Sequence, residues 1–216
     1  MVRVALFGCG RIGQVHAESV AAQPRAELAW VCDPMEAPAR ALAERFGARS
    51  TADVGAVLGD GAVDAVIVAS PTPTHVDLLV ASVKAGKAVL CEKPIDLDLA
   101  RVDACWAEIG SLSPTVMVGF NRRFDRSFRE IRDRIRAGDI GRLEQVAIIS
   151  RDPAPPPREY VATSGGLFRD MAIHDFDMAR FLLGDVVEVQ AMGANLIEPY
   201  IEEAGDIDSA VVVLRA

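Results

Sequence analysis

Residues 2–13, VRVALFGCGRIG, decide the fold. The first six make a short, nearly continuous apolar run, the pattern of a strand covered on both faces in a parallel sheet. Glycines at positions 8, 10 and 13 follow just where a helical period begins, so the stretch reads as strand, tight turn, helix. The same grammar runs outward to about Gly119. Strands are expected at 28–32 (LAWVC), 65–69 (AVIVA), Ala88–Cys91 and Val116–Val118, with helices at 12–22, 35–46, 74–85 and 97–109. Thr74 is placed to cap the third of these helices and Asp96 precedes the fourth, while Gly47 and Gly86 follow the second and third. Between 50 and 61 the glycines leave a short helix open. Repeated strand–helix units imply an α/β fold with a doubly wound parallel sheet and right-handed crossovers.

Beyond Gly119 the pattern changes. Residues 124–137 read as a charged helix ended by Gly138, and 143–150 are apolar and strand-like. The prolines of RDPAPPPRE (151–159) favour an extended path and exclude a central strand. A helix is expected from about 166 to 183, closed by Gly184, and strands at 186–192 and 210–214. This is α+β grammar with an open, mainly antiparallel sheet. The domain boundary is therefore placed at 119–121, giving a Rossmann domain over 1–119 and an α+β domain over 120–216. The chain stops directly after an apolar strand, which would leave a sheet edge bare. A piece of a longer protein is expected, with the second domain incomplete.

Bulk properties exclude some classes of function. With 216 residues, half of them hydrophobic, the chain can build a sizeable core. A net charge of −8 and a pI near 4.9 argue against a nucleic-acid partner, since no basic patch is present to meet phosphates. An acidic, solvated surface is the ordinary reading of that charge. No apolar run is long enough to span a bilayer, and Met1 leads straight into a strand rather than a secretory leader. A cytoplasmic protein without membrane partners is expected. Cys9, Cys32, Cys91 and Cys105 lack any paired spacing and sit mostly in apolar runs, so buried reduced thiols are expected.

Gly8-Cys9-Gly10-Arg11-Ile12-Gly13 fits the GxGxxG phosphate loop. Gly8 would make the turn, Gly10 would admit the pyrophosphate to the backbone, and Gly13 would let helix and strand pack closely. Asp33 ends the second strand, where a carboxylate accepts both ribose hydroxyls; it could also simply cap a helix before Pro34. A carboxylate there repels a 2′-phosphate, and no Lys or Arg follows until Arg40, so NAD is expected over NADP. Ser70, Thr72 and His75 follow AVIVA at the carboxyl edge of the sheet and are candidate cofactor contacts, although a helix start explains Thr74 and His75 equally well. Glu92 and Lys93 follow the strand Ala88–Cys91, which aims Lys93 into the cleft; the isomer of Pro94 is open. Asp170 and His174 are spaced i, i+4, so on one helix the carboxylate would orient the imidazole as a proton acceptor. A structural hydrogen bond competes with that reading. A metal site of Asp170, His174 and Asp177 competes too, but one histidine with acids is a poor ligand set and no metal is expected.

Taken together, GCGRIGQVHA, CEKP, GFNRRFD, SRDPAPPP, SGGLFRDMAIHDFDMARFLLG and GDIDSA resemble the Gfo/Idh/MocA oxidoreductase family, its inositol-oxidising branch above all. The resemblance covers essentially the whole chain. It implies that Lys93, Asp170 and His174 are the catalytic group. His174 would take the hydroxyl proton and Lys93 would polarise the oxygen. It also implies that Arg122, Arg123 and Asp152 border a small polyol, and that the reaction converts myo-inositol to 2-keto-myo-inositol. A relative acting on another sugar or cyclitol, and a non-catalytic NAD sensor, are the alternatives. Family members continue into an open sheet that often serves for homo-oligomer formation.

Overall fold

A computed structural model describes residues 1–216. Contacts divide the chain into two units, Met1–Gly119 and Phe120–Ala216. The first is built on strands β1 (Val2–Phe7), β2 (Ala26–Cys32), β3 (Arg49–Thr51), β4 (Ala65–Val68), β5 (Ala88–Cys91) and β6 (Val116–Val118). They form one sheet in the order β3-β2-β1-β4-β5-β6, with every pairing parallel. The order reverses between β1 and β4, the switch point where such sheets open a ligand crevice at their carboxyl ends. Alternate residues of β1 enter different cores. Ala5 and Phe7 pack with Val57, Leu79 and Ile109, whereas Val4 and Leu6 pack with Val20, Leu28 and Leu42. Both faces are covered, which is why these strands lack polar alternation.

The helices of this unit are α1 (Arg11–Ala21), α2 (Glu36–Phe46), α3 (Val54–Leu58), α4 (His75–Lys84) and α5 (Leu99–Ile109). The open stretch between 50 and 61 holds both the end of β3 and the one-turn helix α3, whose start the Asp53 side chain caps through the Gly55 N–H. Two capping expectations are corrected. Asp98, not Asp96, caps α5 by accepting from the Ala100 N–H. The Thr74 hydroxyl donates to the Pro71 carbonyl within a 3-10 turn and caps nothing. All four cysteines are free and buried. Burial, aided by a hydrogen bond to Asp33, pushes the Cys9 thiol up to about 12.

The second unit contains α6 (Arg126–Ala137), α7 (Arg158–Ser164), α8 (Ile173–Leu183) and α9 (Pro199–Glu203), with an antiparallel pair of β7 (Glu188–Ala194) and β8 (Ser209–Arg215). Gly138 ends α6 in the left-handed conformation. Residues 143–150 form no strand, contrary to expectation. A strand exists only where a neighbour takes its N–H and C=O groups, and β7 and β8 pair only with each other. The expected helix over 166–183 is also corrected. A π turn, Leu167–Met171, comes first and α8 begins only after Ala172. No helix is long and apolar enough to cross a membrane.

Candidate functional site

The glycine-rich loop leaves β1 at the switch point, and each glycine answers a different constraint. Gly8 lies at φ +94°, where a Cβ would come within 2.6 Å of the Ser70 amide nitrogen. The loop thus lies directly on the chain leaving β4. Gly13 of α1 backs onto the Gly8 carbonyl with no room for a Cβ. Gly10 has open space around it and is the N-cap of α1, without a side-chain cap. Gln14 makes the first helical bond, donating its N–H to the Gly10 carbonyl. The N–H groups of Arg11, Ile12 and Gly13 precede that bond, at the end where the helix dipole favours an anion. An uncapped helix start with an open glycine above it fits the pyrophosphate of a dinucleotide.

Asp33, just past β2, reaches back to this loop. Its Oδ2 accepts from the Cys9 N–H at 2.9 Å and its Oδ1 from the Met35 N–H at 2.9 Å. Partial burial alone would push its carboxyl up, but the N–H groups of Cys9 and Met35 and the Cys9 thiol outweigh it and hold the carboxyl below its usual value. The charge is therefore fixed at the crevice before any ligand arrives.

Beyond β4, the Ser70 hydroxyl lies 2.6 Å from that of Thr74, and Thr72 opens the 3-10 turn. His75 is only 2% exposed. Its Nδ1 is 2.8 Å from the Pro94 carbonyl oxygen and its Nε2 2.7 Å from that of Ser70. Beyond β5 come Glu92, Lys93 and a cis Lys93–Pro94 peptide. The Glu92 Oε1 meets His16 Nε2 at 2.7 Å, and its Oε2 accepts from the Lys93 N–H at 3.2 Å. Burial alone would raise the Glu92 carboxyl, but the hydrogen bond and charge of His16 outweigh that and the net direction is down.

In the second unit Asp170 lies in the π turn and His174 in the first turn of α8. The Ala172 N–H donates to the Leu167 carbonyl at 2.8 Å, an i to i−5 bond, so this is not one uniform α-helical face. The turn is pinned where it starts. The Leu167 N–H donates to both Asp206 carboxylate oxygens, at 3.2 and 3.0 Å, and Gly166 at φ +80° leaves space for that carboxylate alone. On either side of Phe176, two acids of α8 hold the arginine pair. Arg122 is ion-paired with Asp175, which also accepts from the Ser150 hydroxyl at 2.7 Å. Arg123 forms a forked pair with Asp177, its Nε 2.9 and 2.8 Å from the two oxygens. Asp152 is exposed in an irregular stretch. No group of three or more His, Cys, Asp or Glu side chains is arranged to hold a metal ion.

Residues 2–120 match the model of an oxidoreductase family with an NAD-binding Rossmann fold, and residues 128–216 match the GFO/IDH/MocA C-terminal domain. The chain belongs to the GFO/IDH/MocA oxidoreductase family. It is 49% identical over 215 residues to inositol 2-dehydrogenase of Rhizobium meliloti, covering 99% of this chain and 65% of that one. A crystal structure of a myo-inositol dehydrogenase from Corynebacterium glutamicum is 51% identical with a TM-score of 0.96, over 100% of this chain and 65% of that one. A scyllo-inositol dehydrogenase from Lactobacillus casei, solved with NAD(H) and scyllo-inositol, is 26% identical with a TM-score of 0.83, covering 100% and 66% of the two chains. The chain thus spans 65% of the length of the Rhizobium relative.

Within this GFO/IDH/MocA member, reading the sequence missed His16, Ser150, Asp175 and Asp206. His16 lay inside the quoted GCGRIGQVHA motif, but its partner Glu92 is 76 residues away. The alternation of acids in HDFD was a usable signal for the arginine pair, because every second residue of that run carries a charge that must be matched if buried.

Proposed function

We propose that this protein is an NAD-dependent dehydrogenase that oxidises myo-inositol to 2-keto-myo-inositol. The observation that carries the reading is an intact dinucleotide cradle followed by Glu92-Lys93-Pro94, in a chain 49% identical to an inositol 2-dehydrogenase. NAD, when bound, supplies the hydride acceptor at nicotinamide C4. Residues 1–119 hold the cofactor through Gly8, Gly10, Arg11, Ile12, Gly13 and Asp33, with Ser70, Thr72, His75 and Glu92 shaping its nicotinamide side. Residues 120–216 serve the substrate. The Lys93 ammonium donates to the carbinol oxygen and stabilises the charge that develops there. His174 accepts the hydroxyl proton, and Asp170 orients its ring.

NAD is favoured over NADP because the Asp33 carboxylate is held ionised at the crevice and would repel a 2′-phosphate. Arg122 and Arg123, though paired with acids of α8, border the polyol site in this reading. Four buried, unpaired thiols suit the reducing cytoplasm.

The test is turnover on a panel of myo-inositol, scyllo-inositol and D-glucose with NAD and NADP, alongside Lys93→Ala. Wild type is expected to reduce NAD on myo-inositol in preference to the others. Lys93→Ala should bind NAD but turn over about 100-fold or more slowly. NAD binding without turnover on any polyol, both in this chain and in one extended to the length of the Rhizobium relative, would leave a nucleotide-binding module and sink the enzyme reading.

A further inference from the structure

Lys93 lies between β5 and α5, in a stretch that is neither helix nor strand. The structure supplies holds on both sides. Ahead of Lys93, the Glu92 carboxylate is fixed by His16 Nε2 at 2.7 Å and receives the Lys93 N–H on its other oxygen. His16 sits on α1, the helix that starts at the phosphate loop, and its side chain is 20% exposed. Gly119 lies against the same carboxylate, and a Cβ there would fall 2.9 Å from Oε2. After Lys93, the Pro94 carbonyl lies 2.8 Å from the buried ring of His75, whose second nitrogen faces the Ser70 carbonyl.

We propose that His16 and His75 are positioning residues that clamp the Glu92-Lys93-Pro94 turn from both sides, His16 through the Glu92 carboxylate and His75 through the Pro94 carbonyl. His16 ties the turn to the phosphate-loop helix, and His75 ties it to the loop after β4. The Lys93 backbone is thereby referenced to the two segments that shape the crevice at the switch point. Neither histidine touches the reacting atoms. The consequence for turnover rests on the dehydrogenase reading, because a displaced ammonium stabilises the developing charge poorly.

The experiment compares His16→Ala, His16→Gln and His75→Gln with wild type by amide hydrogen exchange at 92–96 and by steady-state kinetics. In His16→Ala the Lys93 amide should exchange faster while the core amides of β1 and β4 keep their protection. The Kd for NAD should stay within about threefold, with kcat falling about tenfold or more, since small misplacements near the reacting atoms are costly. His16→Gln retains an N–H that reaches Glu92, so it should recover most of both effects. In His75→Gln the exchange at 95–96 should rise, again with a loss in kcat. Unchanged exchange and unchanged kcat in His16→Ala would overturn the clamp. So would a glutamine variant no better than alanine. If neither wild type nor the extended chain shows turnover, the dehydrogenase reading has failed, and the exchange rates alone still decide the clamp. Should His75→Gln fail to fold, the His16 pair carries the test.

Discussion

The Asp33 carboxylate accepts N–H bonds from Cys9 and Met35, so the acid expected to read the ribose also ties the phosphate loop to β2. Its folded carboxyl titrates below its unfolded value. Stability from these bonds is therefore complete above the unfolded value of about 3.9 and is lost as pH falls through the lower folded value. Wild type should lose more stability than Asp33→Asn between neutrality and about pH 3, as read from urea midpoints. Equal losses would show that the carboxylate contributes nothing through these bonds. Gly13 presents a harder steric limit, because its neighbour is the rigid backbone carbonyl of Gly8. Gly13→Ala should cost about 2 kcal/mol or more and weaken NAD binding at least tenfold. Calorimetry and a nucleotide titration check the two parts. Gly10→Ala, with open space around it, should leave stability nearly unchanged while still weakening NAD binding.

At the scale of elements, α8 carries the candidate base His174 and is anchored through its acids. Asp177 is buried, so its pairing with Arg123 is less screened than a surface ion pair. A double-mutant cycle of Arg123→Ala and Asp177→Asn should give a coupling of roughly 1–2 kcal/mol in unfolding. A coupling near zero would mean that the pair only decorates the helix. Arg123→Ala alone should be the more harmful single change, because it strands a buried carboxylate. This pairing joins residues 54 positions apart, and no period in the chain announces it. The elements that were legible beforehand, such as β1, β5 and β6, are those whose apolar runs match a local rule. Residues 143–150 obey the same rule and yet form no strand, since pairing is a property of two segments. The π turn escaped for a related reason. Adding one residue to a helical turn leaves the apolar pattern of 167–183 almost intact while changing which side chains share a face.

Across the whole chain, two levels of specification are visible. The first unit has a core on each face of its sheet, and in its phosphate loop Gly8 and Gly13 answer backbone constraints while Gly10 leaves open space beside the helix start. In the second unit few side chains are fully buried, among them Val161, Met178, Ala179 and Ile201, and every residue of β7 is exposed. In the proposed reaction a hydride passes from the carbinol carbon of an inositol to NAD. The most direct measurement uses myo-inositol deuterated at C2, with NAD and the purified protein, followed by mass analysis of the nucleotide. Reduced nucleotide carrying the deuterium on its nicotinamide ring is expected, formed by wild type and about 100-fold or more slowly by Lys93→Ala. No reduced nucleotide from this chain or the extended one when both bind NAD, or reduced nucleotide without the label, would contradict the proposed reaction.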